Sequence, residues 1–242
     1  MHTAKILALA TLTIGCTTVE RTFAESIPAD NISVVRVDLD NGHFSYQGLA
    51  TNNIDVTGRA YGYASNVERA EERQDGTYWD MTVTGPELSL LGRSDANMAG
   101  VDFNVAGPGR INTSVYVRDG SASVDSLYGN ILVDAESIRA RQISGNVDLV
   151  ARFGDVDAEI LPNRGETIRV EAQNGDVELW LPWGLDYDLQ VWGDPAYEMV
   201  VEDLGFGWST GAPGYFAAQS GPASTRIDVY ATGGSVRIYM IW

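Results

Sequence analysis

The sequence predicts an all-β fold, a single-domain β-solenoid built from short strands punctuated by glycine, and three observations lead there. A unit of glycine, a polar residue and then alternating apolar and polar residues recurs at Gly120, Gly129, Gly145, Gly154 and Gly175, at intervals of 9, 16, 9 and 21 residues. Such intervals suit coils of two or three short strands each. Apolar residues keep one parity through the whole repeat, and a single stretch, 64–76, has helical character. Asp-Gly, Asn-Gly and Gly-Gly pairs between alternating runs favour antiparallel hairpins, so an antiparallel β-sandwich is the alternative.

The parity is consistent enough to assign faces. Val115 and Val117, Ile131 and Val133, Val147 and Leu149, Val156, Ala158 and Ile160, Ile168 and Val170, and Val177, Leu179 and Leu181 share one side. Ser, Asp, Glu and Arg fill most of the other. Successive strand residues point to opposite faces, so each strand has one core side and one wet side. Each buried Val, Ile or Leu contributes about 1.5 to 3 kcal/mol. That offsets the ordering of a short strand only where neighbouring strands cover one another.

Taken in order, residues 1–15 have the build of a secretory signal: Lys5 precedes an apolar run that is too short to span a bilayer. The run ends in Thr13-Ile14-Gly15-Cys16, which resembles the lipobox of bacterial lipoproteins, where the Cys becomes the first mature residue and carries lipid on its sulfur. Thr13 stands where the box usually has Leu, and cleavage after Ala24 is the competing reading. Thr17 rather than Asp follows the Cys, which under the sorting rule of enteric bacteria directs a lipoprotein to the outer membrane. Residues 16–31, with Pro28 and no apolar periodicity, read as a tether. The domain then covers 32–242. Asp40-Asn41-Gly42 between two alternating runs is a hairpin-turn signal. The run also suggests a calcium loop, but His43 and Leu49 stand where an EF-hand needs Gly and Glu. Residues 67–73 lack β-branched residues after Val67 and suit a short exposed helix. Gly107-Pro108-Gly109 stops the strand before it. The Gly-rich interval 204–224 reads as an exposed loop, and Gly233-Gly234 separates two final strands.

Composition excludes several function classes. A formal net charge of -17 and a pI near 4.3 oppose binding to phosphate backbones, so no nucleic-acid partner is expected. Anionic headgroups would repel the same surface, leaving lipid on Cys16 as the route to a membrane. Lys5 is the only lysine, which removes P-loop and Schiff-base chemistry from the body. Apart from His2 in the leader, His43 is the only histidine, and Cys16 is the only cysteine, so neither a Cys/His zinc cluster nor an intrachain disulfide is expected. No cofactor is expected either. A serine hydrolase would need G-x-S-x-G and a base, and only His43 is present. Asp155 with Asp157, and Asp176 with Glu178, sit two apart on one strand face and could flank a glycosidic bond. Alternating acids are also what a solvated strand face contains. Trp180 has outward parity and could stack on a sugar or fill a protein hot spot, whereas Trp183, Trp192, Trp208 and Trp242 would close the last coil.

Val101-Asp102-Phe103-Asn104-Val105 with Pro108, then Asp119-Gly120 and the reiterated Gly-Asn-Val and Gly-Asp-Val units, resemble the bacterial adhesin-like domain of unknown function, related to auto-transporter adhesin head domains. Trp180-Leu181-Pro182-Trp183-Gly184 looks like that family's second Pro-Xaa-Gly strand end. The resemblance covers about residues 32 to 242 and implies a β-solenoid in an exported protein, with no catalytic residues to carry over. The expectation is therefore a non-catalytic envelope lipoprotein presenting a rigid acidic surface for adhesion, binding or envelope maintenance. A polysaccharide-processing enzyme on a β-helix is the alternative.

Overall fold

The computed structural model describes residues 7–13, 16–222 and 224–241, and the chain divides into two compact units, Met1–Ser121 and Ala122–Trp242. The boundary between them falls inside one strand. The described residues are almost all strand or turn, with one helix.

The first unit holds β1 (Leu7–Thr13), β2 (Cys16–Pro28), β3 (Val34–Leu49), β4 (Asn53–Ala64), α1 (Val67–Asp75), β5 (Thr77–Thr84), β6 (Glu87–Ser94) and β7 (Ala99–Pro108), and β8 (Asn112–Asp125) crosses its end. The leader positions 1–6, 14 and 15 lie outside the described residues; the backbone of β1 pairs antiparallel with the start of β2. Residues 16–31 are not a tether. β2 pairs antiparallel with β4 along its full length, from Thr17↔Ala64 to Pro28↔Asn53, and buries Phe23 against Trp79 (stacked, 3.8 Å) and Phe103 (5.4 Å). A complete backbone ladder and one buried ring hold a strand whose apolar periodicity is too weak to read.

Asp40-Asn41-Gly42 is not a hairpin turn either. β3 runs through it, pairing in parallel first with β6 (Val35↔Leu88) and then with β7 (Phe44↔Phe103). Gly42 has φ 138°, and a Cβ there would lie 2.0 Å from the Val101 carbonyl oxygen. Glycine marks a change of partner here, not a reversal. The expected helix forms as α1: Asn66 caps it by accepting from the Arg69 amide at 2.9 Å, with Glu68 in the first turn and Arg73 in the last. It lies on β4 at Gly62, where a Cβ would stand 2.2 Å from the Ala70 carbonyl oxygen.

The second unit follows from β9 (Ile131–Ala135), β10 (Ser137–Ile143), β11 (Val147–Ala151), β12 (Val156–Ile160), β13 (Thr167–Ala172), β14 (Val177–Pro182), β15 (Tyr187–Gly193), β16 (Met199–Val201), β17 (Trp208–Ala212), β18 (Tyr215–Gln219), β19 (Thr225–Ala231) and β20 (Val236–Ile241). These make two parallel ladders between which the chain alternates. One runs β9, β11, β13, β19, β15; the other runs β10, β12, β14, β20, β16. Register stacks like on like: Ile131, Val147, Ile168 and Ile227 are successive neighbours, as are Val156, Val177 and Val236. Every residue assigned by parity to the core side is buried. The last two strands enter between β13–β14 and the earlier β15–β16, an order that local sequence does not encode.

Residues 204–224, expected as a loop, instead contain an antiparallel hairpin of β17 and β18, whose inner strand pairs with β15. Leu204 and Ala218 are fully buried, and Phe206 packs on Tyr187 and Phe216 at 6.4 and 5.9 Å. Glycines separate these apolar residues in sequence, which hides the strand pattern while leaving a core contact for the end of the ladder.

Candidate functional site

The acidic pairs are the natural place for chemistry, and a backbone hydrogen bond accounts for one member of each. Asp155 Oδ1 accepts the Asp176 amide at 2.8 Å, and Asp176 Oδ1 accepts the Ser235 amide at 2.7 Å. Each carboxylate therefore satisfies the N–H entering the next strand pair, like an N-cap transferred to a β corner. Beside this column Gly154, Gly175 and Gly234 stack so closely that a Cβ on Gly175 would stand 2.3 Å from the Gly154 carbonyl oxygen, and one on Gly234 2.2 Å from that of Gly175. The Gly-Asn units do the same work: Asn146 Oδ1 accepts the Thr167 amide at 3.1 Å and its amide group bonds Asn130 at 3.1 Å. Asp157, the partner expected for Asp155, is tied through Oδ2 to Arg141, and its Oδ1 is buried with no hydrogen-bond partner among the described residues. Glu178 accepts the Trp180 indole N–H at 3.0 Å.

Arginines hold other acids of the wet face: Arg169 reaches Asp148 on the neighbouring strand at 3.0 Å and Glu171 on its own, Arg152 reaches Asp134, and Arg237 reaches Glu198 at 3.0 Å and Asp176 at 3.8 Å. Burial, opposed by Arg152, raises the Asp134 carboxyl above its ordinary value. In the first unit the hydrogen bond from Arg93, at 2.5 Å, lowers Asp38.

The aromatic residues are ordered by the same register. Tyr230, Trp192 and Tyr215 face one another across β19, β15 and β18, with Trp192 and Tyr230 stacked at 4.7 Å and 4° and Tyr215 at 5.8 Å from Trp192. Trp180 keeps its expected outward parity but leans on Tyr239 at 4.7 Å. Rings that cover one another's faces across adjacent strands are cross-strand packing. Trp183 and Trp208, expected to close the coil, are instead exposed at 59% and 55%. Trp242 lies outside the described residues.

His43 has a half-buried setting: its amide donates to Asp102 Oδ1 at 2.8 Å and its ring Nδ1 meets Ser121 Oγ at 2.8 Å. A groove of about 450 Å³ in the first unit is lined by Glu20, Arg59, Tyr61, Tyr63 and Met98 among others. Arg59 is held there by Glu20 at 2.6 Å and Asp102 at 2.7 Å. Cys16 begins β2 as a partly exposed residue, and a hydrogen bond with its thiol raises the Tyr63 phenol. Among the described residues no group of three or more His, Cys, Asp and Glu is placed to hold a metal ion, and no helix is long and apolar enough to cross a membrane.

No protein-family model matches the chain, and no curated protein matches it. Among solved structures it is similar to a putative cell adhesion protein from Clostridium sporogenes, at 9% identity and TM-score 0.47 over 92% of this chain and 100% of the other. It is also similar to a putative adhesin from Bacteroides fragilis, at 8% identity and TM-score 0.32 over 90% of this chain and 96% of the other. A putative adhesin from Parabacteroides distasonis aligns at 9% identity and TM-score 0.22 over 89% and 96%.

Proposed function

We propose that this chain is a non-catalytic exported lipoprotein, anchored by lipid on Cys16, that presents a rigid acidic β-solenoid for adhesion, binding or envelope maintenance. The observation that carries the reading is the use of Asp155 and Asp176. One carboxylate of each acidic pair accepts a backbone amide of the next strand pair, Asp155 at 2.8 Å and Asp176 at 2.7 Å, which gives both a structural use and orients them to the strand corners rather than toward each other across a substrate. In-register parallel ladders and stacked corner glycines favour successive coils over a sandwich.

The anchor rests on sequence: Ile14-Gly15-Cys16 ends an apolar leader. Cleavage before Cys16 would remove β1 and leave β2 paired to β4. Lipid would then attach at the first residue of a strand, which holds the fold close to the outer membrane of a host that has one. Two or three acyl chains give stable anchoring at about 0.8 kcal/mol per buried methylene. Metabolic labelling with a fatty acid tests this: Cys16→Ala should lose both label and membrane fractionation. A wild-type mature protein that begins at Glu25 and stays in the soluble fraction would overturn the anchor. Turnover of a defined glycan, lost in a folded Asp157→Asn or Glu178→Gln variant, would overturn the non-catalytic reading.

A further inference from the structure

Beyond the leader, the outer strand of the terminal hairpin is an edge of unusual character. Among the described residues β17 hydrogen-bonds with β18 alone, and all five of its residues are exposed. Its sequence is Trp-Ser-Thr-Gly-Ala, within a run from 204 to 225 that contains no Asp, Glu, Lys or Arg and is the longest uncharged run of the chain. Sheet edges left open to water are normally guarded by charge, proline or a bulge, because their free N–H and C=O groups accept any passing strand. Two other edges follow that rule: β5 carries Asp80, and β16 is flanked by Glu198 and Glu202; β1, which pairs with β2 and carries no charge, belongs to the leader that cleavage before Cys16 would remove. β17 is regular and unguarded.

We infer that β17 is a self-pairing edge, which joins antiparallel to β17 of a second copy about a two-fold axis at Thr210. Two features select a second copy as the occupant. Net charge of -17 makes copies repel one another, and the repulsion is least where the approaching surface is neutral. The strand is also self-complementary. With Thr210 opposite Thr210, Trp208 faces Ala212 and Ser209 faces Gly211, so the large ring meets the smallest neighbour on its face at both ends.

The cross-strand row supports the same register. Tyr230, Trp192 and Tyr215 follow one another on adjacent strands, and Ala212 is next after Tyr215. The partner's Trp208 would occupy the place after Ala212, spanning the gap to Tyr215 at strand spacings of about 4.8 Å. Its 55% exposure in the single copy is then the exposure of an interface residue. A contact of one short strand is small, so the dimer forms weakly and its population depends on concentration.

Sedimentation velocity of the full chain in the Cys16→Ala background, from micromolar to millimolar, should show a reversible shift from monomer to dimer. Thr210→Lys, which sets two ammonium groups across the axis, should abolish the shift while leaving circular dichroism and Tm unchanged. Thr210→Cys should yield an interchain disulfide under mild oxidation, because opposed Cβ atoms in such a pair lie about 4.5 to 5.5 Å apart. The matched edge variant Thr82→Cys on β5 should not. A monomer at all concentrations, with no cross-link in the Thr210→Cys variant, would overturn the inference. So would cross-linking of that variant to an unrelated envelope protein only, which would assign the edge to a different partner.

Discussion

The two units reach the same chemistry by different routes. In the first, long strands pair mostly antiparallel: β2 lies against β4, and β4 against β7. A helix is laid on one face. In the second, strands of three to seven residues stack in parallel on copies of themselves. Both units nevertheless end a strand with the same device. Buried Tyr46 donates its hydroxyl to the Pro108 carbonyl, and buried Tyr187 donates to that of Pro182, each at 3.1 Å. Burial raises both phenols well above the ordinary range. The difference lies in what enforces register. Long antiparallel strands hold register through many backbone pairs, so their sequence is free to vary. Short parallel strands need side chains and stacked glycines at each corner, and there the sequence is constrained and repetitive.

That contrast can be broken most strongly at the core face of the second unit. Val156→Asp places an unpaired carboxylate at a fully buried position and should cost roughly 3 kcal/mol or more, read as loss of cooperative thermal unfolding. Asp157→Asn, one residue on, loses one partly exposed ion pair with Arg141 and should change stability by about 1 kcal/mol or less. Equal effects would reverse the assigned faces.

Corner glycines come next. At Gly145, with φ 113°, a Cβ would stand 1.8 Å from the Gly129 carbonyl oxygen; Gly145→Ala should cost about 2 kcal/mol or more. Gly85, in the turn between β5 and β6 at φ 59°, has no heavy atom within 4 Å of the added Cβ, so Gly85→Asn should stay within about 1 kcal/mol of wild type. Similar losses at both sites in thermal melts would show that the corners of the second unit are no more crowded than an ordinary turn.

The smallest expected effect is in acid. Asp38, lowered by Arg93, contributes stability that is present above its unfolded value near 3.8 and is lost as pH falls through the lower folded value. Asp134, raised by burial, has the opposite sign: its contribution is full below the unfolded value and is lost as pH rises through the folded one. Carboxyl resonances followed by NMR should therefore titrate on either side of 3.8, Asp38 below and Asp134 above.

Much of this was legible in the sequence, because period-2 parity and corner glycines are local signals. The core faces of β9 to β14, the helix at Val67–Asp75 and the outward parity of Trp180 could be read directly. What could not be read depends on distant chain. Gly42 looks like a hairpin turn until its strand's partners are known to be parallel. β2 has one buried aromatic and no clear period. β19 and β20 insert into the two ladders beside β13 and β14, whose paired residues Ile168 and Val177 lie 59 positions before Ile227 and Val236. The role of Asp155 and Asp176 is hidden for the same reason, since their hydrogen-bond partners lie 21 and 59 residues away. The repeated Gly-Asn and Gly-Asp units are the available clue: a position that accepts either amide or carboxylate uses an acceptor oxygen, and the ion pair of Asp176 with Arg237, at 3.8 Å and partly exposed, adds little.

That interchangeability supplies the most direct test of the non-catalytic reading. Thermal unfolding of Asp176→Asn and Asp176→Ala should be measured together with the envelope phenotype of each. Asn keeps an acceptor for the Ser235 amide, now at 2.7 Å, and should retain wild-type stability and phenotype. Ala leaves that amide unsatisfied and should cost about 1 to 2 kcal/mol, a fall of roughly 2 to 8 °C in Tm for a chain of this size. The contradicting result is a pair of variants equally stable and equally inactive, since a catalytic carboxylate is lost as fully to Asn as to Ala.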